Sequence, residues 1–140
     1  MKFWDASAVI PLCVREPRSR LVRKIAEEDG AIVVWWTTPV ECYSAFARRR
    51  RDDTLTRAHE DQARQAVTRL AADWTEMQPS QQVRETAARV LLLHPLRAAA
   101  ALQLAAGLMW ANGRTTRHHF VCLDQRLCEA ARHEGFAVLP

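Results

Sequence analysis

Three acidic residues stand where short apolar runs give out. Asp5 follows KFW, Asp124 follows FVCL, and Glu41 lies just beyond AIVVWW. If those runs are strands of one sheet, the three carboxylates project from strand-to-helix junctions toward one edge. No lysine adjoins any of them. Carboxylates gathered without a counter-charge repel one another, and such clusters commonly hold a hard divalent cation. Mg²⁺ and Mn²⁺ prefer oxygen ligands of this kind. A cation held there orients a phosphate and generates hydroxide from water at neutral pH.

Each acid also has a purely local use. Thr38-Pro39-Val40-Glu41 reads as a capping box with proline at the first helical position. Asp124 reads as the N-cap of a helix starting at Gln125, and Asp5 as the cap of the turn into Ser7-Ala8-Val9. Other chemistries fit poorly. There is no GxxxxGK[ST] or GxGxxG run, and the chain holds four glycines. No GxSxG elbow is present. Asp5-Ala6-Ser7 partly matches the opening of haloacid-dehalogenase-type phosphatases, which would make Asp5 a nucleophile, but Ser7 stands where those enzymes carry a second acid. His118 and His119 are neighbours on an expected strand and so face opposite ways.

The elements that must position the acids alternate. Short strands are expected at 2–4, 31–36, 74–77, 119–123 and 136–139. Helices are expected from about Ser7, over 19–28, from Thr38 to about Arg51, over 55–72, over 81–93 behind a Ser80 cap, from Pro95 to near Asn112-Gly113, and from Asp124 to His133. AIVVWW is β-branched and aromatic without alternation, as in a strand buried on both faces. Strands alternating with helices argue one α/β domain over 1–140. It is a three-layer α/β/α arrangement with a central, mainly parallel sheet of four to five short strands flanked by helices. In such sheets ligands bind beyond the carboxyl ends of the strands, where the three acids stand.

The chain is 140 residues long with a net charge of +4. Of its 20 basic residues only Lys2 and Lys24 are lysine. Arginine's planar fork suits phosphate, although a GC-rich genome produces the same bias. Arg48, Arg49, Arg50 and Arg51 form the densest basic run, read as an RNA-contacting patch or as a solvated helix end suited to the helix dipole. Trp35 and Trp36 read as core. The four cysteines show no CxxC spacing and read as reduced thiols of a cytoplasmic protein. No apolar run reaches the roughly 20 residues of a membrane span, so no membrane partner is expected.

Four stretches together resemble the PIN-domain ribonucleases, and within them the VapC-type toxins of bacterial VapBC toxin–antitoxin pairs. FWDASAVIPL is similar to that family's opening, TTPVECYSAFARRRR to its second motif, HPLRAAAALQLAA to its third and FVCLDQRLCEAARHEGFAVL to its fourth. The resemblance spans the whole chain. It implies a PIN-like fold and an Mg²⁺-dependent endoribonuclease, with Mn²⁺ able to substitute, of a type II toxin–antitoxin system. The RNA substrate would be tRNA or rRNA. A VapB-type antitoxin partner and a homodimer are implied in the same way. Asp5, Glu41 and Asp124 match three metal-binding acids, and Ser7 matches the hydroxyl supporting the first. A fourth acid of the family falls on Ala100, inside Leu96-Arg97-Ala98-Ala99-Ala100-Ala101-Leu102-Gln103-Leu104. The rest of that motif is intact, so Ala100 reads as an engineered replacement of Asp that leaves the chain largely inactive. The alternative is a naturally degenerate, non-catalytic PIN-like module that binds RNA or a partner.

Overall fold

The computed structural model describes residues 1–140. Its sheet is built from β1 (Lys2–Trp4), β2 (Ile32–Trp35), β3 (Thr75–Met77), β4 (His119–Val121) and β5 (Ala137–Leu139). The strand order is β3-β2-β1-β4-β5, and every pairing is parallel. Parallel neighbours need crossovers, and the helices supply them. They are α1 (Ala6–Cys13), α2 (Ser19–Asp29), α3 (Thr38–Arg51), α4 (Arg57–Ala71), α5 (Gln81–Leu93), α6 (Ala98–Ala111) and α7 (Gln125–His133). The chain winds outward from β1 to β3, then α5 and α6 carry it back past β1 to β4. The order therefore switches direction between β1 and β4, the strands that end at Asp5 and Asp124.

Side-chain alternation along each strand divides the core in two. Phe3, Val33, Trp35 and Phe120 pack against α5, α6 and α7. Trp4, Val34 and Val121 pack against α1, α2, α3 and α4. This is a three-layer α/β/α fold with a five-stranded parallel sheet. The alanines of α6 let it lie close to the sheet. At Gly107 a Cβ would sit 2.7 Å from Phe120 Cε2 and 3.4 Å from Phe3 Cδ1.

Several boundaries differ from the sequence reading. α6 starts at Ala98 and not at Pro95, because His94 to Arg97 form an extended connection. α4 starts at Arg57, capped by the Thr56 hydroxyl, and not at Leu55. β4 ends at Val121, two residues earlier than expected, and a short 3₁₀ turn at Thr115–Arg117 precedes it. Trp35 is core, but Trp36 turns outward and is 52% exposed. All four cysteines are free thiols. No single helix is long and apolar enough to cross a membrane.

Candidate metal centre

Asp5 leaves the end of β1, where its backbone N–H donates to Val121 O at 2.9 Å and so ties the junction to β4. Its side chain caps α1, with Oδ2 accepting from the Ser7 amide at 2.9 Å. The Cys122 thiol lies 3.7 Å from the same oxygen as a weak donor. Asp5 is 4% exposed. Burial raises its pKa above the ordinary aspartate value, and the charge of Asp124 adds to this. Hydrogen bonds from Ser7 oppose the shift.

Asp124 caps α7, with Oδ1 accepting from the Leu127 amide at 2.9 Å. It is exposed at the rim. The Ser7 hydroxyl accepts from the Leu123 amide at 2.8 Å and the Asp124 amide at 3.2 Å. It therefore fixes the loop that carries Asp124, while Ser7's amide supports Asp5. With its oxygen spent on two amides, Ser7 is no stand-in for the second acid of a phosphatase.

Glu41 sits in the first turn of α3, but the expected capping box does not form. The helix is capped at Thr37, one residue earlier than the motif places it. Glu41 Oε1 accepts from Thr37 Oγ1 at 2.7 Å and from Gln103 Nε2 at 2.9 Å. Gln103 is fully buried on α6 and also donates to Thr38 Oγ1 at 3.2 Å. Burial raises the Glu41 pKa, and the nearby charge of Asp5 adds to it. Thr37 and Gln103 pull it back.

The three carboxylates line one pocket of about 360 Å³, together with Ser7, Ala100, Arg48 and Arg97. Each spends one oxygen on the protein and keeps the other free of protein hydrogen bonds: Asp5 Oδ1, Glu41 Oε2 and Asp124 Oδ2. None is in a salt bridge. The donor chemistry suits a hard divalent cation. The set does not close, however, because no three His, Cys, Asp or Glu side chains form a group that could hold a metal ion. Ala100 faces the same pocket from the first turn of α6 and offers only a methyl group. That turn carries no acidic residue and no side-chain cap. A carboxylate there would be favoured by the positive end of the helix.

The basic run is divided. Arg49 pairs with Glu16 at 2.7 Å, and Arg50 with Glu60 at 2.7 Å. Arg51 lies exposed at the end of α3 and does not line the pocket; Arg48 alone of the four does. Three residues hold places at the site that the sequence did not assign them, Gln103 and Arg97 having entered only as members of the third motif. Gln103 orients Glu41 across 62 positions of chain. Arg97 lines the acid pocket, and Arg126 lines the cleft beside it. A signal for Arg97 was present: alanines at i+3 and i+4 leave it no partner on its own helix. His118 is held by Arg114 O at 2.8 Å and His119 is exposed, so the two form no metal pair.

No protein-family model matches the chain, and no curated protein matches it.

Proposed function

We propose that the pocket is the hydrolytic centre of an Mg²⁺- or Mn²⁺-dependent endoribonuclease toxin, disabled at position 100. The observation that carries this reading is the set of free oxygens. Three carboxylates in no salt bridge line a common pocket, and each commits one oxygen to the fold and keeps the other free of protein hydrogen bonds. Asp5, Glu41 and Asp124 would hold the cation, and an aspartate at position 100 would complete the set. When bound, the cation supplies an acidified water and charge stabilisation at the phosphodiester.

The chain's own residues do the positioning. Ser7 clamps the two strand ends that carry Asp5 and Asp124, and Thr37 with Gln103 aims Glu41. The Leu123 to Leu127 junction holds Asp124 at the rim, where a phosphate enters. In the chain as it stands the missing donor favours binding over cutting, the behaviour of a non-catalytic RNA-binding module. A VapB-type antitoxin and a homodimer belong to the same resemblance and are proposed with it.

The test is cleavage of total RNA in Mg²⁺ or Mn²⁺ by this chain and by Ala100→Asp. The expected result is cutting by the variant alone, abolished by EDTA. Folded Ala100→Asp that cuts nothing would overturn the nuclease reading.

A further inference from the structure

The turn that carries Asp124 is flanked by two thiols. Cys122 follows β4 and Cys128 belongs to α7, and both are free and buried in the same core layer. The Cys128 thiol donates to the backbone carbonyl of Cys122 at 3.3 Å, so the helix rests its sulfur against the end of the strand. Cys122 in turn hydrogen-bonds to the Cys128 sulfur, which lowers the pKa of Cys128 and raises that of Cys122. The Cys122 sulfur also touches the acid site. It lies 3.4 Å from Asp124 O, 3.7 Å from Asp5 Oδ2 and 3.7 Å from Ser7 Oγ. The other two thiols, Cys13 and Cys42, lie in the core layer on the opposite face of the sheet. Burial raises the Cys13 pKa to about 12 and pushes that of Cys42 up as well. A thiol held protonated is a poor nucleophile.

From this placement we infer that Cys122 and Cys128 form an oxidation site, which closes to a disulfide under hydrogen peroxide and loosens the turn that carries Asp124. Formation of the bond is independent of the nuclease reading, and only its effect on a cation rests on that reading. Cys128 keeps 8% exposure against 2% for Cys122, so the small oxidant meets Cys128 first. The Cys128 sulfur attacks one peroxide oxygen. An S–O bond forms, the O–O bond breaks, and the departing hydroxide leaves as water with the thiol proton. The Cys122 sulfur then displaces the remaining hydroxyl group. The S–S bond forms, the S–O bond breaks, and that hydroxyl leaves as a second water with the Cys122 proton. The two sulfurs give up one electron each, and the peroxide takes both. A disulfide brings its sulfurs to about 2 Å. Closure therefore draws the Cys122 sulfur toward α7 and off Asp5 and Ser7, and leaves no S–H for Asp124 O. The Leu123 and Asp124 amides, which the Ser7 hydroxyl accepts, shift with it.

The experiment treats this chain, reduced, with hydrogen peroxide, caps the remaining thiols with iodoacetamide and digests with trypsin without reductant. Arg117, Arg126 and Arg132 place Cys122 in the peptide 118–126 and Cys128 in the peptide 127–132. The expected result is the two peptides joined, two hydrogens lighter than their sum and separated by reductant. Cys128→Ser, whose hydroxyl keeps a donor for Cys122 O, should abolish the joined product, and Cys13→Ser should retain it. Hydrogen exchange at the Leu123 and Asp124 amides should be about fivefold faster in the oxidised chain, the scale of one hydrogen bond. Peroxide-treated Cys128→Ser should show no such change. In Ala100→Asp, oxidation should weaken Mn²⁺ binding at least about tenfold, the scale of a lost partner of a metal ligand, and reduction should restore it.

Separate peptides after peroxide, or oxidation of Cys13 in their place, would overturn the oxidation site. A joined product with unchanged or slower exchange at Leu123 and Asp124 would overturn the loosening. Ala100→Asp that binds no Mn²⁺ when reduced would remove the cation reading, while the peptides and the exchange rates would still decide the inference.

Discussion

Replacing Gln103 with methionine separates the charge of Glu41 from the packing around it. Gln103 is fully buried, and methionine approximates its length without polar atoms. The substitution removes the 2.9 Å bond to Glu41 Oε1 and the 3.2 Å bond to Thr38 Oγ1. It also removes Gln103 Oε1, a buried carbonyl oxygen with no partner. A hydrogen bond to an ionised group contributes about 1.5–3 kcal/mol, and one between neutral groups about 0.5–1.5. We take the low end of the first range, because the pocket is open to solvent. Relief of the orphaned carbonyl returns about 1–3 kcal/mol at any pH. The net change at pH 7 is therefore small, while the pH-dependent part has a definite sign. Above its folded pKa Glu41 is ionised and the loss is larger. At pH 4, below its raised pKa, the carboxyl is neutral and the loss is smaller. Urea unfolding at the two pH values should show Gln103→Met about 1 kcal/mol less stable relative to the parent at pH 7 than at pH 4. In a Glu41→Gln background that difference should vanish. An equal effect at both pH values, or one that survives Glu41→Gln, would refute the assignment of Gln103 to the Glu41 charge.

The remaining predictions concern stability. Asp5 and Glu41 have folded pKa values above their ordinary values of 3.8 and 4.5. The folded chain thus keeps protons that the unfolded chain releases, and their contribution to stability falls as pH rises through the folded values. Asp5→Asn, which can still cap α1, should flatten this decline and raise the melting midpoint at pH 7 by roughly 3 °C. A lowered midpoint would contradict the sign. Ser7→Ala strips the Leu123 and Asp124 amides of their acceptor and should cost about 1–2 kcal/mol in urea unfolding, and no loss would remove Ser7 as the clamp. Gly107→Ala places a methyl 2.7 Å from the fully buried Phe120 ring. The overpacking, about 1–3 kcal/mol, should outweigh the roughly 1 kcal/mol gained in helix propensity, so thermal unfolding should show a less stable protein.

Much of the fold was legible because its strands are short apolar runs closed by an acid or a turn. KFW, AIVVWW and HFVCL carry that signature without ambiguity. The strand order was not legible, since it depends on where α5 and α6 return the chain, which no local pattern encodes. The three acids were visible as strand-end residues, but the use of each oxygen was not. A one-residue shift of the α3 start, from Thr38 to Thr37 as cap, frees Glu41 from the capping box and gives it to Gln103. The basic run left two readings open for a geometric reason. Successive helical residues are turned about 100° apart, so Arg48 to Arg51 cannot share a face. Two of them meet acids on α4 and in the loop after α1, and those acids are invisible from the run itself. Arg97 and Arg126 lie far apart in the chain, and only the fold brings both to a cleft that Asp124 also lines.

The central proposal is that Asp5, Glu41 and Asp124 would hold a divalent cation once position 100 supplies the missing donor. The most direct test is calorimetric titration of Mn²⁺ into this chain, into Ala100→Asp and into Ala100→Asp/Asp5→Asn. The expected result is weak binding by this chain and binding at least about tenfold tighter by Ala100→Asp, the scale of one added ligand. The tighter binding should be lost again with Asp5→Asn. Equal affinity in all three proteins, or no binding by Ala100→Asp, would contradict the claim.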